Sequence, residues 1–254
     1  MEVILAQIFN GLSLGSIYAL LVTGFNLLIL AAMIIHFSFP GMVVFSMYAA
    51  WLAMQWSGSV AVGIAAAMVS ALMVNMISAP VFQHVMGKRG GVDINATMVV
   101  SMGMGMLITE FCSHSVNKGF PVSFPLFSGA REPFLQSGLI SVSYAQALAL
   151  GCGIIAVAVL FRILYRTKAG RAFRAIAENP ENAQLAGIPV LRTALQSYAL
   201  AGALGGMSAA LMALLLGSAS SDLGDLLSHK VLGVAIIAGL GNLGGGLAVA
   251  LLLG

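Results

Sequence analysis

The side chains that could ionise, bind or react are few, and they lie in short clusters between long apolar runs. The largest cluster is residues 166–193, where five basic side chains surround Glu178 and Asn179. One carboxylate, Glu110, lies inside an apolar run about one turn from its end, where it could bind an ammonium group or extend towards water near His114. No Ser-His-Asp set and no metal-ligand spacing recurs within any cluster, so neither catalysis nor a metal site is expected on this chain.

The first apolar run carries hydroxyl and amide side chains on one helical face. At 100° per residue Ser13 and Ser16 lie together with Asn10 nearby, while Gly11 and Gly15 form an adjoining ridge of small residues. Such polar groups either contact a substrate or hydrogen-bond to neighbouring helices, and both roles stay open. The small ridge favours close helix–helix contact.

A glycine pattern near the end of the chain matches the dinucleotide-binding fingerprint. Gly239, Gly241 and Gly244 have the G-x-G-x-x-G spacing, but they lie in an apolar run that follows no strand of a βαβ unit. The interpretation that fits the surroundings is a close helix contact or a helix break within a membrane.

The composition indicates that these clusters belong to a membrane protein. Apolar residues make up 60% of the 254 and charged residues only 7%, against about 25% in an ordinary soluble domain. This composition excludes a soluble enzyme, a nucleic-acid-binding protein and a disordered chain. The apolar runs are long and continuous, whereas a membrane β-barrel would alternate over about ten residues, so they predict membrane helices.

The expected fold class is therefore all-α: a polytopic integral membrane protein with about seven transmembrane or re-entrant helices, forming one domain over residues 1–254. The predicted helices are roughly 4–32, 42–57, 60–83, 95–114, 139–163, 194–217 and 231–254. Residues 33–41 are interpreted as a break because Pro40 and Gly41 oppose helix continuation. Since the last run stops without a polar flank, the chain is expected to be C-terminally shortened.

The basic residues predict the orientation, because Lys and Arg accumulate on the cytoplasmic side of membrane segments. Residues 84–93 and 166–192 are rich in them and are placed in the cytoplasm. Residues 115–138 hold few and are placed outside. If residues 33–41 form a cytoplasmic turn, the N-terminus also lies outside.

The cytoplasmic segment carries specific helix signals. Asn179 is a good N-cap, Pro180 suits the first helical position, and Gly187 is typical of a helix end. These signals predict a short helix over Pro180–Ala186 with small or apolar residues to bury. Such a helix suits docking into a partner's groove; the alternative is a surface loop that only joins two spans.

This segment resembles the coupling segment of the membrane permeases of branched-chain amino acid ABC importers, the LivH/LivM type. The matching residues are Thr167, Gly170, Arg171, Ala172, Arg174, Ala175, Ala177, Glu178, Asn179, Ala183, Gly187 and Ile188. Phe9 to Leu20 is similar to that family's opening segment, and Lys230 to Gly241 is similar to its lysine and G-x-G run.

The resemblance implies a non-catalytic permease subunit of the bacterial plasma (inner) membrane. Its partners would be cytoplasmic ATPase subunits, a second permease subunit (homologous or identical), an extracytoplasmic substrate-binding protein and membrane lipid, but no nucleic acid. The chain has no G-x-x-x-x-G-K-[ST] motif, so ATP and Mg would bind to the partner ATPase and no cofactor is expected here.

The expected substrates are branched-chain or other small apolar amino acids, since few charges lie in the spans. Permeases for urea or short amides belong to the same superfamily and are an alternative. A secondary transporter or channel would need ion-binding groups near the middle of the membrane, which the sequence almost lacks. A membrane scaffold would not need the capped cytoplasmic helix.

Three groups of site residues follow from this interpretation. The expected ATPase-coupling residues are Gly170, Arg171, Arg174, Ala177, Glu178, Asn179, Pro180, Ala183, Leu185, Gly187 and Ile188. The expected substrate-path residues are Asn10, Ser13, Ser16, His36, Ser38, Pro40, Gly41 and Glu110. The expected contacts with the binding protein, in an outer connection before the last span, are Asp222, Asp225, His229 and Lys230.

Overall fold

The computed structural model describes residues 2–87, 94–116, 119–124, 133–137 and 140–254. Over these residues the helices are α1 (Glu2–Ala32), α2 (Phe39–Ser57), α3 (Val60–Gly87), α4 (Ile94–Ser115), α5 (Tyr144–Arg166), α6 (Lys168–Glu178), α7 (Pro180–Leu185), α8 (Val190–Leu216), α9 (Leu223–Ala238) and α10 (Leu243–Leu253). Four short strands join them: β1 (Val122–Ser123), β2 (Pro133–Ser137), β3 (Ile140–Ser143) and β4 (Ser218–Ala219). The expectation of an all-α, multi-pass membrane protein is confirmed.

Five of the described helices are long and apolar enough to cross a membrane: Ala6–Ala32, Val60–Val85, Asn95–Ser115, Tyr144–Arg166 and Val190–Leu216. Helices α2, α9 and α10 are shorter and pack among these spans. The strands pair antiparallel, β1 with β4 and β2 with β3, where the chain passes between helices. The Trp51 indole donates to the carbonyl of Ser123 (3.1 Å) and ties α2 to that end of the bundle.

Helices α1, α2 and α8 form the centre of the bundle, and small residues let α3 approach α8 closely. A Cβ added at Gly206 would lie 2.2 Å from the Ala67 carbonyl oxygen, and one at Gly202 would lie 2.8 Å from the Ala71 carbonyl oxygen. Backbones this close leave no room for a larger side chain, which is the usual packing of membrane helices.

The predicted final helix, 231–254, is wrong, because the chain forms two helices there. Helix α9 begins eight residues earlier, at Leu223, and ends at Ala238. Gly239 and Gly241 then adopt φ angles of 88° and 80°, and Asn242 caps α10. The glycine pattern therefore marks a helix break, one of the two interpretations considered for it, because glycine alone takes such angles without strain.

The break after α1 also differs from the prediction. It covers residues 33–38, while Pro40 and Gly41 lie in the first turn of α2. The predicted reason was wrong, since a proline in the first turn lacks only an N–H that has no helical acceptor. The chain instead leaves α1 through Met33, whose φ is 57°.

The start of α5 is later than predicted, at Tyr144 instead of residue 139. Ser143 and Gln146 form a capping box, in which the Gln146 side chain accepts from the Ser143 backbone N–H (2.8 Å). The capping box fixes the first turn, so the preceding residues are free to pair as the β2–β3 hairpin.

Candidate functional site

Two capped helices, α6 and α7, form the segment between the spans α5 and α8. The Thr167 hydroxyl accepts a 3.2 Å hydrogen bond from the first turn of α6, and the Asn179 side chain accepts a 2.9 Å bond from the first turn of α7. Gly187 ends the segment with a φ of 79°. The predicted helix over Pro180–Ala186 is confirmed to within one residue, whereas α6 was not predicted.

The exposed side of this segment contains six of the predicted coupling residues: Arg171, Ala177, Glu178, Asn179, Leu185 and Gly187. We call these six residues the coupling surface. Leu185 is the apolar side chain that projects furthest, with 87% of its surface exposed. An exposed leucine on a short helix can act as the apolar anchor by which the helix docks into a partner's groove.

Other predicted coupling residues belong to the subunit's own packing. Ala183 is only 4% exposed, so its expected place on the docking face is wrong. The α7 helix has a single turn and a half, and it buries the Ala183 methyl while presenting Leu185. Pro180 and Ile188 are half-buried, and the Arg174 guanidinium lies 5.0 Å from the Tyr165 ring centre.

Gly170 is also buried, and it permits the sharp turn from α5 into α6. A Cβ at this position would lie 2.1 Å from the Leu164 carbonyl oxygen. Its contribution in this structure is therefore to set the angle of α6 rather than to offer a side chain to a partner.

An apolar groove of about 360 Å³ connects the coupling segment to the membrane helices. It is lined by Ile29, Leu30, Met33, Ile35, Ala177, Leu240 and Gly241. The groove therefore brings together the last turn of α6, the α1–α2 break and the turn between α9 and α10. A displacement of α6 would therefore change the shape of this groove beside both irregular segments.

Two expected path residues, His36 and Ser38, lie buried in the α1–α2 break. The Nδ1 atom of His36 is 2.8 Å from the Ser38 hydroxyl, and its Nε2 atom is 3.4 Å from the Ser78 hydroxyl. The ring packs between Phe82, at 4.6 Å, and Tyr198, at 5.8 Å. The imidazole thus joins the break to α3 and α8.

A pair of buried polar groups beside this histidine was not identified from the sequence. The neighbouring contacts Ala67–Gly206 and Ala71–Gly202 place Asn75 opposite Tyr198 along the antiparallel helices α3 and α8. The side-chain amide of Asn75 and the hydroxyl of Tyr198 have no hydrogen-bond partner among the described residues. Buried polar groups without partners are rare, so this pair marks an unusual place in the interface.

The polar face of α1 packs against α5. The Ser13 hydroxyl lies 3.4 Å from the Gln146 carbonyl of α5, and the Ser16 hydroxyl lies 3.2 Å from the Ala149 carbonyl of α5. The Gln146 amide donates to the Asn10 side chain. All three contacts join α1 to α5, so these side chains hydrogen-bond to a neighbouring helix, which was one of the two alternatives from the sequence. The other alternative, contact with a substrate, stays a prediction.

A cleft of about 600 Å³ lies between α2, α4 and α9. Its lining includes Gly41 and Glu110, expected on the substrate path, and also Asp225 and His229. The Glu110 carboxylate is 70% exposed and lies 3.1 Å from the His114 Nδ1 atom. This agrees with the alternative in which Glu110 extends towards water near His114. The structure therefore joins residues that the sequence assigned to two separate sites.

Four residues were expected to contact the binding protein from a segment that connects two helices. Only Asp222 lies in such a segment. Asp225, His229 and Lys230 lie on α9, which was predicted to start after them. The Lys230 ammonium donates to the Tyr18 hydroxyl of α1 (2.6 Å). Its expected place in a connecting segment is therefore wrong, while a contact with the binding protein stays a prediction.

Asn26 is a further residue that the sequence analysis missed. It is fully buried in α1; its amide donates to the Asn242 carbonyl (3.2 Å) and accepts from the Gly241 N–H (3.3 Å). The signal was available, since an asparagine in an apolar span needs partners. Nothing in the sequence said that those partners lie more than 200 residues away.

In a comparison with known protein families, one family matches nearly the whole chain. The profile of the family described as branched-chain amino acid transport system / permease component matches residues 7–254. No solved structure matches the chain.

Three relatives show the range of substrates in related proteins. The galactose/methyl galactoside import permease protein MglC of Salmonella typhimurium is 30% identical over 59% of this chain and 42% of its own length. The high-affinity branched-chain amino acid transport system permease protein BraD of Pseudomonas aeruginosa is 26% identical over 98% of this chain and 84% of its own. The autoinducer 2 import system permease protein LsrC of an Enterobacter species is 28% identical over 72% and 55%. The chain thus spans less than half of the galactose permease's length.

Proposed function

This chain belongs to the family of branched-chain amino acid transport system permease components, and we propose that it carries small, largely apolar amino acids inward. It is a multi-pass inner-membrane permease component of an ABC transport system, in a family of non-catalytic subunits. The observation that supports the proposed substrate class is the match to a branched-chain amino acid permease over 98% of the chain. Apolar surfaces also dominate the spans, so an aliphatic side chain would cross them without a desolvation cost.

A second candidate is a sugar permease. It is favoured by the 30% identity to the galactose permease, which covers only 59% of this chain. Urea and short amides remain a third substrate class to include in any test.

We further propose that cytoplasmic ATPase subunits bind the coupling surface. Leu185 would insert into the ATPase, and the exposed Arg171 and Glu178 would surround it. ATP and Mg would bind to those partners. The apolar groove from Ala177 to residues 33–35 gives the ATPase a mechanical route to the α1–α2 break.

The proposed path runs from the outer cleft at Gly41 and Glu110 to the break at His36 and Ser38. A substrate-binding protein would deliver the substrate at the outer side, where Asp222 precedes α9. A second permease subunit, identical or homologous, would complete the path. Alternating access would then follow from movement of the break and the α9–α10 turn, which share the same groove.

The orientation that this scheme requires places the coupling surface in the cytoplasm. In a background without Cys112 and Cys152, Ser57→Cys should react with an impermeant maleimide on intact cells, whereas Glu181→Cys should not. Both positions are exposed and lie at opposite ends of the bundle. Labelling of Glu181→Cys alone would reverse the orientation.

The substrate proposal is tested by ATP-dependent uptake into proteoliposomes that contain this chain with its ATPase and binding protein. Labelled leucine, isoleucine, valine, lysine, glutamate, galactose and urea are compared, with an ATPase variant unable to hydrolyse ATP as the control. Selective leucine, isoleucine or valine uptake is expected. Uptake of galactose or urea alone would replace the proposal, and uptake of lysine would contradict an apolar path.

A further inference from the structure

Lys230 is a partly buried cation on α9, beside the span α1. Its ammonium donates to the Tyr18 hydroxyl at 2.6 Å and lies 4.7 Å from the centre of the Tyr18 ring. Tyr18 is 3% exposed and lies near the middle of the span Ala6–Ala32, roughly 20 Å along the helix from either end. The charge of Lys230 is therefore held at about mid-membrane depth.

Nothing that the structure describes neutralises this charge. No carboxylate of the described residues lies within 4.0 Å of the Lys230 ammonium, and Tyr18 is a neutral acceptor. An ammonium group has three N–H donors, so two remain after the bond to Tyr18. Ionisable side chains at membrane depth are costly and usually serve function.

The surface beside Lys230 has space for a small ligand. Lys230 is only partly buried, and a Cβ added at Gly233, one turn further along α9, would meet no atom within 4 Å. On the same helical face Leu226 is 50% exposed and Ile237 is 73% exposed. The face therefore offers a cation, an open notch and aliphatic side chains on both sides.

We propose that Lys230 binds the carboxylate of the transported substrate and so selects amino acids over neutral sugars. The inference rests on the proposed function and assigns its specificity to one residue. The free N–H donors of Lys230 would bind the carboxylate, while Leu226, one turn away on the same face, would contact the aliphatic side chain. The Tyr18 hydroxyl orients the ammonium but makes no charge contact of its own.

The test uses the complete transporter in proteoliposomes and compares Lys230→Met with Tyr18→Phe. Lys230→Met removes the charge and keeps an apolar chain of similar length; Tyr18→Phe removes only the hydroxyl that orients it. Leucine uptake at equal permease content should fall at least about tenfold in Lys230→Met, as expected for loss of a charge-assisted bond, and less than about threefold in Tyr18→Phe. Lys230→Arg should recover part of the lost uptake.

Co-purification with the ATPase and the thermal unfolding midpoint are measured for each variant. Unchanged assembly with lost leucine uptake in Lys230→Met supports the inference. Equal losses in Lys230→Met and Tyr18→Phe would show that the pair only packs α9 against α1, and full uptake by Lys230→Met would also overturn the inference. If the unmodified transporter carries galactose and not leucine, the proposed function fails before Lys230 is tested.

Discussion

The coupling segment, residues 166–189, and the α9–α10 hairpin, Leu223–Leu253, are built from the same local signals. In each, an asparagine caps a short helix: Asn179 caps α7 and Asn242 caps α10. Each also has glycine with a φ between 79° and 88° after a helix: Gly187 in the coupling segment, and Gly239 and Gly241 in the hairpin. Yet α7 could be predicted to within one residue, whereas the hairpin was interpreted as one continuous helix.

The difference comes from what surrounds the signals. The coupling segment is polar, so its cap, proline and glycine stand out as the only local way to satisfy the backbone. The hairpin is apolar throughout, and in an apolar run glycine serves helix packing as readily as a helix break. Asn26, on another helix, accepts from one backbone group of the turn and donates to another. One region is thus determined locally, and the other by a distant side chain.

The largest effect is expected from a change in the coupling surface, and it tests whether the ATPase binds the exposed Leu185. Leu185→Asp places a charge where an apolar side chain is 87% exposed. Co-purification with the ATPase should fall at least about tenfold, as for loss of a central interface residue, while the thermal unfolding midpoint stays unchanged. Gln184→Asp adds the same charge to an exposed polar position and should retain most binding. Equal loss in both variants would point to charge repulsion instead of apolar docking.

The next effect tests whether the hairpin depends on the distant contact. Asn26→Leu leaves the Gly241 N–H and the Asn242 carbonyl without their partner, which should cost about 2–4 kcal/mol and lower the thermal unfolding midpoint. Thr23→Val is the matched control, because among the described residues the Thr23 hydroxyl bonds only to carbonyls of its own helix. A midpoint for Asn26→Leu as high as that of the control would contradict the distant stabilisation of the turn.

A smaller effect is expected when two neighbouring glycines of the hairpin, Gly244 and Gly245, are each replaced by alanine. A Cβ at Gly245 would lie 2.6 Å from the Ala238 carbonyl oxygen, whereas the nearest atom to one at Gly244 is 3.8 Å away. Gly245→Ala should therefore destabilise the protein by about 1–3 kcal/mol, and Gly244→Ala should change stability by less than about 0.5 kcal/mol. Thermal unfolding of the purified variants measures both, and the reverse order would show that the hairpin geometry is wrong.

The smallest effect concerns the local cap of the coupling segment. Asn179→Ala removes the side chain that accepts from the first turn of α7, at a cost of about 1 kcal/mol. Amide hydrogen exchange over Pro180–Leu185 should rise about fivefold, with no change elsewhere. Asn182→Ala, in the same turn, leaves the cap intact and should exchange as the unmodified protein does. Slow exchange in both variants would mean that tertiary contacts, not the cap, hold α7.

Much of the site could be placed from the sequence because its signals act over one or two turns. The apolar runs predicted membrane helices, and the N-cap and proline at 179–180 predicted α7. Exposure could not be predicted in the same way. Ala183 and Leu185 are both apolar members of one short helix, and only the packing of α7 on its neighbours buries the first and exposes the second.

The substrate region depended still more on the tertiary structure. Glu110 and Asp225 lie more than 100 residues apart and line one cleft, and Lys230 meets Tyr18 across 212 residues. Sequence spacing carries no information about such pairs.

The sequence by itself determined that the protein lies in a membrane, that it is helical, which family it belongs to and where the capped coupling helix α7 lies. These features depend on hydrophobicity and capping, which are properties of adjacent residues. The tertiary structure alone decided where the last helix breaks, which coupling residues are exposed and how deep Lys230 lies. The physical reason is the same in each case. The partners of Asn26 and Lys230 and the residues that cover Ala183 are supplied by packing, and packing is set by the whole fold rather than by neighbours in the chain.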